Sequence, residues 1–468
     1  MGRWVSDEEY KTMSSLKLER VHTLVTVDDE DRVLHDVDVV MEDGKIAAVG
    51  KDLPTPDGAR VLDGRWCVAY PGFVNTHHHF YQTLTRNIPQ VQDAKLFDWL
   101  TRLYEIWRGL NPENVRISTQ VAVGELLLSG CTTSTDHFYC FPRSAPKDLL
   151  DAEIDEVRRL GMRFHATRGS MSLGRSAGGL PPDDVTQSWE EILADCERVI
   201  AKYHDPKPFA MTRVALAPCS PFSVTRESLA ETAAYARKKK VRMHTHLCET
   251  MDEQDFCLSK VGMRPLDYME SVGWVGDDVW YAHGIWFTDE EIKRLGAAGC
   301  GVAHCPVSNL RLGSGICHVP ALLEAGAKVG IAVDGSASND SSNLLKEMQT
   351  ALLVHRVGTG VQSMPAKTVV RMATRGGAEV LGHPEIGQVA PGYAADLAVF
   401  RLDRVDFAGA MADPAAAVLF CGSAPRAEYT IVAGEVLVEK GQLTRLDEGE
   451  VFRAANAEAK KLLEKAGF

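Results

Sequence analysis

Three adjacent histidines stand in "PGFVNTHHHFYQTL", and imidazole both binds transition metals and exchanges protons near neutral pH. An extended chain turns successive side chains to opposite faces, so His77 and His79 share one face while His78 points away. Such a pair chelates one cation; a histidine-rich surface turn is the bland alternative. Other segments decide between the two. "VRMHTHLCET" ends an apolar run with His244, His246 and Glu249, "VWYAHGI" ends one with His283, and "KVGIAVDGSASND" ends one with Asp334. His244 and His246 fall on the same face. His246, the last before the loop, is read as a ligand, and His244 as a deeper, hydrogen-bonded core residue. A lone histidine or aspartate at a strand end is commonly structural. Four such groups in order after a His-x-His pair point instead to a single metal site.

The metal set His77, His79, His246 and Asp334 offers three imidazoles and a carboxylate. That donor set suits Zn²⁺, one per chain, with Fe²⁺ as the alternative. Water on such a metal has its pKa lowered to about 7. The catalytic expectations are that Asp334 holds this water and takes its proton, that Glu249 carries a proton to a ring nitrogen of the substrate, and that His283 holds the attacking oxygen. Together they describe hydrolysis at an electrophilic sp² carbon.

Positioning these groups requires strands that end together. In "VRISTQVAVGELLLSGCTTSTDHFY" an amphipathic helix runs to Gly130 and a β-branched strand follows. The same alternation recurs in "LAETAAYARKKKVRMHTHL", "TDEEIKRLGAAGCGVAHCP" and "VPALLEAGAKVGIAVDG". The strands are apolar almost to their last residues, as parallel strands buried on both faces are. Residues 70–384 are therefore read as a (β/α)₈ TIM-type barrel of the α/β class, with its site where the strands end. A doubly wound sheet would carry a Gly-rich phosphate turn after its first strand, and none is found. Residues 1–69 and 385–445 read as short strands, with turns at Asp43-Gly44 and Asp63-Gly64, and are expected to meet in one small β-sandwich built from both ends of the chain. Residues 446–468 form an outer amphipathic helix. The segment before Leu16 has no evident chemical role.

The 468 residues are 45% hydrophobic and 25% charged, ordinary globular composition. A net charge of -13 and the lack of a basic cluster argue against a nucleic-acid partner. Eleven cysteines without CxxC spacing suit reduced thiols rather than a disulfide framework. The N-terminus has no apolar signal core, and no window reaches membrane-span length. A cytoplasmic protein with no membrane partner is expected, and association into a homo-oligomer is compatible with its size.

The motifs "NTHHH", "HTHLCE", "YAHG" and "VDGSASND", in that order, resemble the amidohydrolase superfamily, in its mononuclear-metal aminohydrolase branch, over nearly the whole chain. Within that branch "GCTTSTDHFYCFP", "TRGSMSLGRSAGGLPPDD", "ALAPCSPFSV" and "HCPVSNLRLGSGI" are similar to 8-oxoguanine deaminases. The resemblance implies hydrolysis of an amino-substituted heterocycle by water, with 8-oxoguanine giving urate and ammonia. Isoxanthopterin deamination and s-triazine hydrolysis are the alternatives. It also places Gln82 on the purine, or else as a helix cap, and Cys219 beside the ring, or else as an ordinary buried thiol. Arg168 and Ser170 would shape the pocket. A two-metal hydrolase of this superfamily would carry a lysine in "ALAPCSPFS", which has none.

Overall fold

The computed structural model describes residues 15–468; the N-terminal stretch read above, up to Ser14, lies outside the described residues. Five strands come first: Leu16–Val25 (β1), Val33–Glu42 (β2), Lys45–Gly50 (β3), Arg60–Asp63 (β4) and Cys67–Pro71 (β5). The middle of the chain supplies Phe73–Asn75 (β6), His78–His79 (β7), Cys131–Thr135 (β8), Arg163–Ser170 (β9), Thr212–Pro218 (β10), Met243–Leu247 (β11), Val279–His283 (β12), Gly301–His304 (β13), Lys328–Ile331 (β14) and Asp334–Gly335 (β15). Leu397–Arg401 (β16), Tyr429–Val432 (β17), Glu435–Glu439 (β18) and Gln442–Leu443 (β19) close the series.

The two ends of the chain join in one continuous sheet. Its order is β19-β18-β17-β16-β5-β1-β2-β3, with β4 also on β1, and its strands enclose a core that includes Leu18, Val39, Leu397 and Ile431. Asp43 and Gly44 both adopt positive φ, 49° and 72°, which closes the β2–β3 hairpin with matching twist. Asp63-Gly64 is a turn of another kind, because β4 and β5 each run parallel to β1. Gly64 is required there by proximity: a Cβ would lie 2.8 Å from the Glu19 carbonyl oxygen.

The barrel sheet has the order β14-β13-β12-β11-β10-β9-β8-β6, all in parallel register. Its strands are buried almost throughout, as helices on the outside and side chains on the inside demand. The ring closes where Thr76 donates its N–H to the Ile331 carbonyl at 3.1 Å. Just beyond, β7 and β15 pair in parallel, His78 opposite Asp334, and Asp334 donates its N–H to the His77 carbonyl at 3.1 Å. The first and last barrel strands are thus tied by main chain at the level of the histidines. The helices between strands end as the sequence suggests. Lys240 takes the left-handed conformation after Arg226–Lys239, and Gly299 does so after Asp289–Ala298, whose start carries a Thr288–Glu291 capping box. The C-terminal helix Glu448–Ala466 lies outside and buries Leu462. Among the described residues no helix is long and apolar enough to cross a membrane. All eleven cysteines are free, and all but Cys421 are buried.

Candidate metal and active site

Three strand ends carry residues in the left-handed region: Cys248 (φ 54°), His283 (φ 73°) and Asp334 (φ 61°). None is glycine, and each such residue costs roughly 1–3 kcal/mol. The turns send the chain outward while the side chains at or beside them stay over the barrel mouth. There His77 Nε2 and His79 Nε2 each lie 3.3 Å from Asp334 Oδ1, and His79 Nε2 lies 3.2 Å from His246 Nε2. His283 Nε2 is 3.5 Å from Glu249 Oε2 and 4.0 Å from Asp334 Oδ2. All six residues are buried, with His246 the most exposed at 8%.

The hydrogen bonds on the far side of each ring fix which nitrogen faces inward. His79 Nδ1 donates to the His137 carbonyl at 2.8 Å and His246 Nδ1 to the Cys219 carbonyl at 2.6 Å. His244 Nδ1 donates to the Trp280 carbonyl at 3.0 Å. In a neutral His244 the other nitrogen, Nε2, must then accept, so His77 Nδ1 donates to it across 2.7 Å. The Nε2 atoms of His77, His79 and His246 therefore face one another and a carboxylate oxygen. Burial and the neighbouring imidazoles hold His77 well below the usual histidine range and bring His246 down to about 3, so both are neutral near pH 7. His77 Nε2 has no hydrogen-bond partner although fully buried. Lone pairs converging without a proton between them call for a cation. Ligands about 2.0–2.1 Å from a tetrahedral Zn²⁺ stand about 3.3–3.4 Å from each other, which is the spacing found here.

His244, read from sequence as a core residue, thus has a definite task as the acceptor that sets the tautomer of His77. It stacks on Trp280 at 4.4 Å. We expect His244→Phe to keep that stacking, to leave the fold intact, and to weaken zinc binding about 10- to 100-fold. Titration against a competing chelator measures this, and unchanged affinity would show that His244 does not orient its neighbour.

Glu249 lies beside the donor set. Burial, reinforced by the charge of Asp334, pushes its carboxyl well above the usual range, which favours the protonated form that can give a proton away. Asp334 behaves oppositely: burial works against its charge, yet its carboxyl lies well below the usual range. Its Oδ2 accepts hydrogen bonds from Ser308 at 2.5 Å and Ser338 at 3.2 Å. The surroundings thus favour the protonated form of one carboxyl and the ionised form of the other, as separate acid and base duties require.

The cavity over these groups is lined by His79, His246, Glu249, His283 and Asp334, and also by Gln82, Cys219, Trp99, Tyr139 and Phe222. Both polar atoms of the Gln82 amide and the Trp99 indole N–H are buried without partners. Gly335 makes room for that amide, since a Cβ there would collide with Gln82 Oε1. Burial raises the Cys219 thiol to about 12, which leaves it an S–H donor. Arg168 and Ser170 are not among the lining residues. The Arg168 guanidinium is spent on Asp195 at 2.6 Å and Gln187 at 2.8 Å, and Ser170 meets Cys219 through its carbonyl. Their parity on β9 turns Arg168 toward the surrounding helix Trp189–Tyr203 rather than into the barrel. His78 faces away, with Nε2 on the Ser342 hydroxyl at 2.9 Å.

His137, Trp99 and Tyr139 belong to the site without any signal in the sequence. His137 lies close enough to His77, His79 and His246 to form a four-imidazole group with them. Its ring stacks on His246 at 4.7 Å, and its Nε2 donates to the Ala217 carbonyl at 2.8 Å. It stands alone two residues past β8, without the i, i+2 partner that makes a chelating pair visible.

A (β/α)₈ barrel with this histidine–carboxylate cluster at the ends of its strands defines a metal-dependent hydrolase. The chain belongs to the amidohydrolase family, which matches residues 68–437. It is 48% identical to the 8-oxoguanine deaminase of Pseudomonas aeruginosa, over 91% of this chain and 94% of that one. It is 39% identical to the hydroxydechloroatrazine ethylaminohydrolase of a Pseudomonas species, over 94% of both. An atrazine chlorohydrolase from Arthrobacter aurescens, crystallised with zinc, superposes with a TM-score of 0.90 at 37% identity, covering 96% of this chain and 100% of that one. The protein is a hydrolase acting on C–N bonds, with a histidine-rich site fit to hold a metal ion.

Proposed function

We propose that this protein hydrolytically deaminates an amino-substituted purine, 8-oxoguanine, to urate and ammonia in the cytoplasm, with the zinc held by His77, His79, His246 and Asp334. One observation carries the reading. The Glu249 and Asp334 carboxyls, whose surroundings favour the protonated and the ionised form respectively, flank the converging imidazole nitrogens in a cavity whose Gln82 amide and Trp99 indole still lack partners. Those groups suit a flat heterocycle bearing both donors and acceptors on its edge. Such a site rejects rings that leave its buried polar groups unpaired.

Zinc supplies Lewis acidity that makes a water nucleophilic near neutral pH. Glu249 gives its proton to the ring nitrogen beside the amino-bearing carbon. Asp334 takes a proton from the attacking water as the new carbon–oxygen bond forms, and passes it to the amino group. The carbon–nitrogen bond breaks, ammonia leaves, and the adduct's hydroxyl returns a proton to Glu249 as the carbonyl forms. His283, with Nε2 3.5 Å from Glu249 Oε2, holds the attacking oxygen. Gln82 and Cys219 orient the ring.

An s-triazine substrate on the same site is the second reading, favoured by the triazine enzymes among the relatives; the pteridine isoxanthopterin is the third ring to test. The zinc and proton-transfer groups do not choose between rings. Turnover of 8-oxoguanine, guanine, isoxanthopterin and a hydroxytriazine, followed side by side, is expected to give 8-oxoguanine the highest kcat/KM. An inert 8-oxoguanine beside a fast triazine would overturn the assignment.

A further inference from the structure

Glu253 is a fully buried carboxylate outside the cavity lining, and both of its oxygens are committed to main chain. Oε1 accepts the N–H of Cys248 at 2.9 Å and Oε2 the N–H of Glu249 at 3.0 Å. Glu253 is the third residue of the helix Met251–Val261, whose preceding residue Thr250 makes no side-chain cap. A glutamate at that position ordinarily reaches back to the amide of the capping residue itself. This one bypasses Thr250 and grips the two peptides before it. Cys248 is the residue with φ 54°, and its carbonyl is held from the other side by the N–H groups of Ile285 and Trp286 at 2.9 and 3.0 Å. The peptide from which the Glu249 side chain departs is thus clamped in a left-handed turn that is strained for an L-residue.

We propose that Glu253 is a positioning residue for proton transfer, holding the Cys248–Glu249 main chain so that the Glu249 carboxyl faces His283 and the substrate. The inference rests on the role given to Glu249 above. Each amide needs an acceptor, and only a carboxylate presents two at once. Glutamine in its place meets one of the two N–H groups with an NH₂, so the turn relaxes and the Glu249 carboxyl drifts. Displacement of a reacting group by about 1 Å lowers rates by up to about 100-fold.

The test is a double-mutant cycle on the zinc-loaded enzyme, with the best substrate of the panel above. Glu253→Gln is expected to retain one zinc, to keep KM within about twofold, and to lower kcat about 10- to 100-fold. Added to Glu249→Gln, it is expected to lower kcat no further, because its effect passes through the Glu249 carboxyl. A residue that only caps the helix would slow both backgrounds equally, and that result, or wild-type kcat in Glu253→Gln, overturns the proposal. If Glu253→Gln does not fold, the same cycle with Glu253→Asp serves, since the shorter side chain keeps the charge and withdraws both oxygens. Wild-type turnover by Glu249→Gln alone would instead refute the role of Glu249.

Discussion

Glu249→Gln is expected to bind one zinc per chain and to turn over about 10²- to 10⁴-fold more slowly than the native enzyme, the range that general acid–base groups contribute. The amide matches the carboxyl in shape but has no acidic proton to give. Glu249 stands apart from the converging nitrogen atoms, with His283 Nε2 at 3.5 Å, so its loss leaves the metal site whole. Burial and the charge of Asp334 hold the native carboxyl well above the usual range. Its contribution is therefore present below its elevated pKa and is lost as pH rises through it. Metal analysis together with kcat across pH measures both parts, and a variant as fast as the native enzyme would remove Glu249 from the chemistry.

Asp334→Asn is expected to have a broader effect. The native carboxylate meets two imidazoles through Oδ1, each at 3.3 Å, and two hydroxyls through Oδ2. An amide offers a neutral ligand in place of an anion and cannot take the proton of the attacking water. We expect weaker zinc binding and a loss of at least about 10³-fold in turnover, even with excess zinc. Ligand binding raises stability in proportion to the logarithm of its concentration over Kd. Added zinc should therefore raise the Tm of the native protein clearly and that of the variant much less. Equal zinc-induced shifts would show that Asp334 is not a ligand.

How far the sequence reveals this site depends on local geometry. His77 and His79 are legible because strand alternation puts i and i+2 on one face, and His78, opposite in parity, does turn away to Ser342. His246, His283 and Asp334 are legible as the polar ends of apolar strands, and the barrel that brings them together follows from the repeated helix–strand alternation. Parity misleads only when the layer it points to is not known. Arg168 lies at a strand end like the others, but it faces Asp195 in the helix layer. Trp99 reaches the cavity from the helix Leu96–Trp107, far from any strand end, and no spacing rule announces it. His137 carries no chelating partner in sequence. The grip of Glu253 on the Cys248 and Glu249 amides depends on a left-handed Cys248, and sequence periodicity does not report that conformation. The hairpin at Asp43-Gly44 was plain from its residues. The turn at Asp63-Gly64 is legible too, but its kind is not, because the choice between a hairpin and two strands parallel to β1 is made by contacts with residues 16–24.

The central claim is that one zinc sits among His77, His79, His246 and Asp334. Anomalous diffraction at the zinc edge from crystals of the zinc-loaded protein tests it most directly. The predicted result is a single peak per chain, about 2.0–2.2 Å from the Nε2 atoms of the three histidines and from Asp334 Oδ1. Two peaks, or one peak bound by His137 in place of Asp334, would contradict it.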